Sequence, residues 1–207
     1  MYQSIEIRTT NVATIAVVYS IFVHKLLRIS LELEELQSKR LRFISVTQEI
    51  IDKVLEGNSA ISAFLNVEVA DDWTEFGSSP FIYVRNKLLD DPGTEGWWSW
   101  LVILKDQNAL IGNCGFKGPP HDNGVEIGYE VAKSLRGIGL ATEIAAVLVD
   151  RAFTFPEVSH VLAHTLAEEN ASCKVLRKCG FHFVKELHDP EDGNIWQWRL
   201  DRAEVGI

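Results

Sequence analysis

Arg136-Gly137-Ile138-Gly139-Leu140-Ala141-Thr142 is the stretch on which the reading of this chain turns. It follows Val125-Glu126-Ile127-Gly128-Tyr129-Glu130-Val131, which alternates as a strand, and precedes a run with Leu140, Ile144, Val147 and Leu148 at helical spacing. The second run predicts a long helix from about Gly139 to Phe153. Small residues at such a junction let the backbone come close to a ligand. The new helix points unpaired N–H groups and its positive dipole end at the same place, which makes a phosphate or pyrophosphate site. Arg136 adds a fixed cation beside it. A P-loop would need Gly-Lys-Ser/Thr, which is absent. The dinucleotide fingerprint started at Gly137 would need Gly or Ala at position 142, where Thr142 stands. Alone, the glycine pair would be no more than a tight turn, so the neighbouring elements decide.

Outward from this turn the elements fall into a definite order. Residues 41–46 alternate as a short strand, and Thr47 is placed to cap a helix that closes at Gly57, with Glu49 in its first turn. Residues 59–90 carry two or three helical pieces, ending at Asp91-Pro92-Gly93. Residues 97–106 are apolar on both faces and read as a central strand, with a second strand at 109–116. Beyond the long helix come a strand at 160–166, a helix at 171–179 closed by Gly180, and strands at 181–187 and 195–200. The order is β, helices, three β, long α, β, α, two β. It predicts an α+β fold, a mixed α/β sheet rather than a doubly wound one. Trp98 and Trp100 fall on one strand face, and Trp196 and Trp198 on another, the period of core residues.

The chain has 207 residues, 46% of them hydrophobic and 24% charged, enough for one ordered core and against disorder. Its net charge of −9 argues against a non-specific nucleic-acid binder. Cys114, Cys173 and Cys179 form no CxxC pair, which reads as reduced thiols in a cytoplasmic protein. His121-Asp122 and His188-Asp189 lack metal-site spacing, and no metal is expected. Residues 1–30 stand apart as an extension to a single domain over 31–207. Residues 12–23 hold ten apolar residues of twelve before His24, Lys25 and Arg28 interrupt the run. That is short of the about 20 residues a membrane-spanning helix needs. Three readings stay open: an appended helix or strand, a peripheral membrane anchor, or sequence upstream of the true start. The first and last are favoured over a membrane role.

Arg136, Gly139 and Ala141, spaced R-x-x-G-x-A after Glu126-Ile127-Gly128-Tyr129, resemble the acetyl-coenzyme A motif of the GNAT N-acetyltransferase superfamily. Residues 169–181, ENASCKVLRKCGF, resemble that superfamily's next motif, a short helix ending in Gly-Phe. The resemblance extends from about Leu33 to Leu200 and is nearest to the RimJ/RimL-type branch, which acetylates protein N-termini and some small amines. It implies two central parallel strands, 125–131 and 160–166, that splay apart. Acetyl-coenzyme A would enter the splay as the acyl donor and pair with the backbone of Tyr129, Glu130 and Val131. The amides of Gly137, Ile138, Gly139, Leu140, Ala141 and Thr142 would hold its pyrophosphate, and Asn170 and Ser172 would lie near the thioester. The partner implied is an amine acceptor, on a peptide N-terminus or a small molecule, for a monomer or homodimer.

The sequence also departs from the family pattern. Glu169 stands where Asn is frequent, with Asn170 one residue late, either in the same contact or only capping the helix. Leu176 stands where many members carry a Tyr that protonates the departing thiolate, and Ser172 is the candidate substitute. Acetyl transfer to an amine also needs a base and a donor for the acyl oxygen. Glu126 is the first candidate base, sharing a strand face with Gly128 and Glu130. His164, on the neighbouring strand, is the second. A backbone N–H of Tyr129 or Glu130 is the implied oxygen donor. Lys174 and Lys178 either reach a 3′-phosphate or complement a helix C-terminus. Trp73, in a region that covers the acceptor site in this family, is a candidate lining residue. A non-catalytic acyl-coenzyme A binding module is the competing reading.

Overall fold

The computed structural model describes residues 36–205. Residues 1–30, and with them the readings of the extension, lie outside the described residues. The chain runs through β1 (Leu41–Ser45), α1 (Gln48–Glu56), α2 (Asn58–Leu65), β2 (Glu68–Val69) and α3 (Ser79–Asp90). It continues as β3 (Ser99–Leu104), β4 (Ala109–Phe116), β5 (Gly124–Val131), α4 (Leu140–Phe153) and β6 (His160–Leu166). The last elements are α5 (Ala171–Lys178), β7 (His182–Asp189), β8 (Gly193–Asp201) and α6 (Arg202–Val205). Thr47 caps α1 by accepting from the Ile50 amide, and Gly57 ends it at φ +111°. The two-residue β2 and its link to α3 lie in the stretch where the sequence offered only helical pieces.

The strands form one mixed sheet in the order β1-β3-β4-β5-β6-β8-β7, with β2 added beside β4. Along that path β5 and β6 are the parallel pair, and all other neighbours are antiparallel. The apolar run of β3 is explained by its position, because both of its faces are covered. Trp100, Val102 and Leu104 join a cluster with Ile144, Ala145 and Leu148 of α4. Leu101 and Ile103 join a second cluster with Ile51 of α1, Ile61 of α2 and Phe81 of α3. Trp98 belongs to the second cluster and Trp100 to the first, so the two do not share a strand face. The alternation fails because β3 begins only at Ser99, and Trp98 precedes it. Trp73 is also core, 3% exposed, tilted on Phe81 and donating to Asn58. It lines neither cavity described below. No helix among the described residues is long and apolar enough to cross a membrane.

Candidate active site

The parallel pairing of β5 with β6 is short. It runs from Gly124 opposite His160 to Glu126 opposite Leu162 and then stops, although β5 continues to Val131 and β6 to Leu166. Beyond that point the strands splay. On its other side β5 stays paired with β4, where Lys117 N donates to Glu126 O and Ala132 N to Ile111 O. Antiparallel alternation therefore turns the backbone groups of Glu126, Gly128 and Glu130 toward β4, and those of Ile127, Tyr129 and Val131 toward the splay. Of the three strand residues named from the sequence, Tyr129 and Val131 offer backbone to the gap, and Glu130 offers its side chain.

The gap opens into a cavity of about 660 Å³. Tyr129, Glu130, Val131, Arg136, Gly137, Gly139, Leu140, Ala141, Thr142, Asn170 and Ser172 all line it. Ile138 does not: its side chain is 57% exposed, and its carbonyl accepts from Arg40. Gly137 and Gly139 both have φ +85°, a conformation L side chains rarely adopt, so these glycines are required by the turn itself. Gly139 is the N-cap of α4 and no side chain caps that end. The first-turn amides of Leu140, Ala141 and Thr142 are thus left facing a concave, positively polarised mouth. Glu143 is the acidic residue of that turn, but its carboxylate is drawn away by Arg40, at 2.6 Å. Arg136 donates to Val131 O and pairs with Glu75 at 2.8 Å. Lys174 and Lys178 line the cavity as well.

The two candidate bases meet. His164 Nδ1 lies 2.9 Å from Glu126 Oε1, and Lys117 Nζ lies 2.6 Å from the same oxygen. The carboxylate beside Nδ1 favours the Nδ1–H tautomer, although Oε1 has no aligned hydrogen bond with any described residue, and Nε2 faces the side-chain nitrogen of Gln197 at 3.2 Å. Burial pushes the Glu126 carboxyl up, but the neighbouring His164 imidazole and Lys117 cation outweigh it and hold it below its ordinary value. Gly128, two residues further on the same strand face, has open space where a Cβ would be.

At the far end of the cavity Asn170 is the N-cap of α5, its Oδ1 accepting from Cys173 N at 3.1 Å. This is the capping alternative for Asn170, and it frees Ser172 from that task. Glu169 is tied to Arg177. Leu176 is 1% exposed in the core. The Tyr129 phenol stands close enough to Ser172 to feel it, yet makes no aligned hydrogen bond with any described residue. Burial raises it far above its ordinary value, so it holds its proton at all ordinary pH.

The link between β2 and α3 is the part of the site that the sequence did not reveal. Asp72 accepts from Ser134 N at 2.9 Å, and Glu75 pairs with Lys133 and Arg136. Glu130 accepts from Thr74 at 2.9 Å, from Glu75 N at 2.7 Å and from Asn113. Glu130, Ser134 and Arg136 each lie more than fifty residues from the link residues they meet, so no local spacing announces the contact. Phe76 from this link, with Tyr129 and Glu130, also borders a second cavity of about 330 Å³. No cluster of three or more His, Cys, Asp or Glu arranged to hold a metal occurs among the described residues.

The family model described as an acetyltransferase (GNAT) domain matches residues 48–182. An uncharacterized N-acetyltransferase of Bacillus subtilis, YjdG, is 31% identical over 150 residues, covering 70% of this chain and 88% of that protein. Among solved structures, Mycobacterium smegmatis RimJ in complex with CoA-disulfide aligns with a TM-score of 0.58 at 18% identity, over 81% of this chain and 84% of that one. Ribosomal-protein-S5-alanine acetyltransferase from Vibrio fischeri aligns at 0.57 and 13% identity, over 80% and 94%. These two share the fold.

Proposed function

The chain belongs to the GNAT acetyltransferase family, and from that premise we propose that it moves an acetyl group from acetyl-coenzyme A to a primary amine by direct attack in a ternary complex. One observation carries the reading. The splay beyond Glu126 and Leu162 exposes a strand edge beside a cavity that ends on the uncapped N-terminus of α4. A ligand with amides in the middle and a pyrophosphate at one end matches that sequence of groups. Tyr129 and Val131 would pair with the amides, and the first-turn amides of α4 would hold the phosphates. The donor supplies an activated acyl thioester, and the protein's own groups do the rest.

The Tyr129 N–H faces the splay and is the donor for charge developing on the acyl oxygen. Glu126 Oε1 lies within ion-pair distance of His164 and Lys117, and the carboxylate is placed to take a water that relays the amine's proton. A carboxylate held below its ordinary value is a modest base. It suffices because an amine loses its proton readily once it has attacked. His164 holds the carboxylate in place and shares its charge. Ser172 donates to the departing sulfur, backed by the unspent hydroxyl of Tyr129. A free α-amine, with a pKa of about 8, presents more neutral nitrogen at pH 7 than lysine at about 10.4. That favours an N-terminal or similarly weakly basic amine as acceptor. The RimJ and ribosomal-protein acetyltransferase names among the fold relatives support the same class. The test is acetyl-coenzyme A dependent release of free thiol from purified protein across a panel of amines. Release above the amine-free rate supports the reading. Tight binding of acetyl-coenzyme A with no release for any amine would leave only a binding module.

A further inference from the structure

We infer that the second cavity is the acceptor pocket, and that it selects a primary amine carried beside a compact apolar group, aromatic or branched aliphatic. The inference rests on the acetyltransferase reading and names the acceptor class within it. The first argument is size and lining. At about 330 Å³ the cavity is at the small end of ligand sites, which run from ~300 to ~1,000 Å³. Its walls include Phe76, Tyr83, Trp98 and Phe116. Tyr83 stands edge-on to Trp98 at 5.9 Å, so two of the rings are already set against each other. Phe76 and Tyr83 remain 68% and 54% exposed, aromatic surface that an apolar group would remove from water.

The second argument is charge. Lys117 lines the cavity, but its ammonium is matched by Glu126 at 2.6 Å. Glu130 lines it too, and its carboxylate accepts only from the neutral donors Asn113, Thr74 and the Glu75 amide. No cation pairs with it among the described residues. Lys87 lies over the Tyr83 ring at 5.3 Å and does not line the cavity. The pocket therefore carries one uncompensated negative charge, which draws in an ammonium and repels an acceptor with a carboxylate beside its amine. The third argument is position. Phe76, Tyr129 and Glu130 wall both cavities, so an amine drawn to Glu130 arrives at the border with the acyl-donor site. A small polar group such as the side chain of serine would leave the aromatic walls wet. A polyamine would set a second charge against them.

The shared chemistry could come from a free amine or from a peptide N-terminus, and the two are separated by the panel. Initial rates are measured with 2-phenylethylamine and isopentylamine, with Phe- and Leu-headed peptide amides, with Ala- and Ser-headed peptide amides, and with spermidine. Within each amine class the apolar members should lead roughly tenfold or more in kcat/KM, the Phe- and Leu-headed peptides over the Ala- and Ser-headed ones and the two apolar free amines over spermidine. Preference for the free amines assigns a small-molecule acceptor, and preference for the peptides assigns an N-terminus. Equal or better rates with Ala- or Ser-headed peptides than with Phe- or Leu-headed ones, or with spermidine than with the apolar free amines, would overturn this inference and leave the acetyltransferase reading standing. No thiol release with any amine would overturn both. Gly128→Val is the matching variant, because a Cβ there meets nothing within 4 Å and β-branched side chains suit a strand. It should raise KM for 2-phenylethylamine roughly tenfold and leave acetyl-coenzyme A affinity in place. An unchanged KM in the folded variant would also overturn the pocket assignment.

Discussion

Glu126 and His164 are within 2.9 Å of each other, and that contact changes what their substitution should do. Two independent bases would give additive losses, whereas a coupled pair should not. Glu126→Gln is expected to lower kcat roughly 100-fold, the order of general-base catalysis, with acetyl-coenzyme A affinity within a factor of about two. The double variant Glu126→Gln/His164→Asn should lose no more than the worse single one. Steady-state kinetics with calorimetric Kd values checks both, and full additivity would separate the two residues. Tyr129 makes a different kind of test. A buried hydroxyl without an aligned partner costs stability, so its removal in Tyr129→Phe should leave Tm unchanged or higher while kcat falls about tenfold. A lower Tm with unchanged kcat would assign the hydroxyl to structure alone. Glu126 could be named from the sequence because strand alternation puts it on the face of Gly128 and Glu130, and His164 because it is an imidazole on the neighbouring strand. The Tyr129 hydroxyl could not, because its lack of a partner is a fact of packing between β5 and α5.

Among the elements, the turn into α4 was legible because its requirements are local. Positive φ at Gly137 and Gly139, and an uncapped helix start, follow from residues within one turn of each other. Gly137→Asn keeps a residue type that visits positive φ but adds a side chain at a position lining the cavity. It should weaken acetyl-coenzyme A binding roughly tenfold or more, the scale of one lost charge-assisted hydrogen bond, and lower Tm by the strain of an L side chain at that φ, so binding is measured below the variant's melt. Thr47 illustrates the same legibility at α1. Thr47→Ala removes the bond to Ile50 N and should cost about 1 kcal/mol, lowering Tm by about 2–4 °C. The Trp98 reading failed for the complementary reason. Period-two alternation holds only inside a strand, and Trp98 lies just before one. The link between β2 and α3 was unreadable because its Asp72, Thr74 and Glu75 answer to Ser134, Glu130 and Arg136, far along the chain.

The whole molecule ties the start of α4 to the sheet edge at β1, since Arg40 N and Nε both donate to Glu143. Burial pushes the Glu143 carboxyl up, but Ser38 and Arg40 outweigh it and hold it below its ordinary value, as His164 and Lys117 do for Glu126. A carboxyl lowered in the folded state contributes stability above its unfolded pKa and loses it as pH falls through the folded one. Stability should therefore decline as pH drops below about 4.5, with Glu143→Gln showing a shallower acid dependence in thermal melts. Asp150 is raised by partial desolvation and opposes the trend in part. The mixed character of the sheet followed from element order, and the splay between strands 125–131 and 160–166 was implied by the family resemblance. The acceptor pocket did not, because it is assembled from β2–α3, α3, β4 and β5 only in the folded chain. The claim on which the rest depends is that the splay and the N-terminus of α4 together hold acetyl-coenzyme A. Calorimetric titration of the wild-type protein and Gly137→Asn, with NADH and ATP as controls, tests it most directly. The account predicts micromolar binding of acetyl-coenzyme A to the wild type, much weaker binding to the variant, and none of the controls in competition. Absence of binding to the folded wild type, or equal affinity in the two proteins, would contradict it.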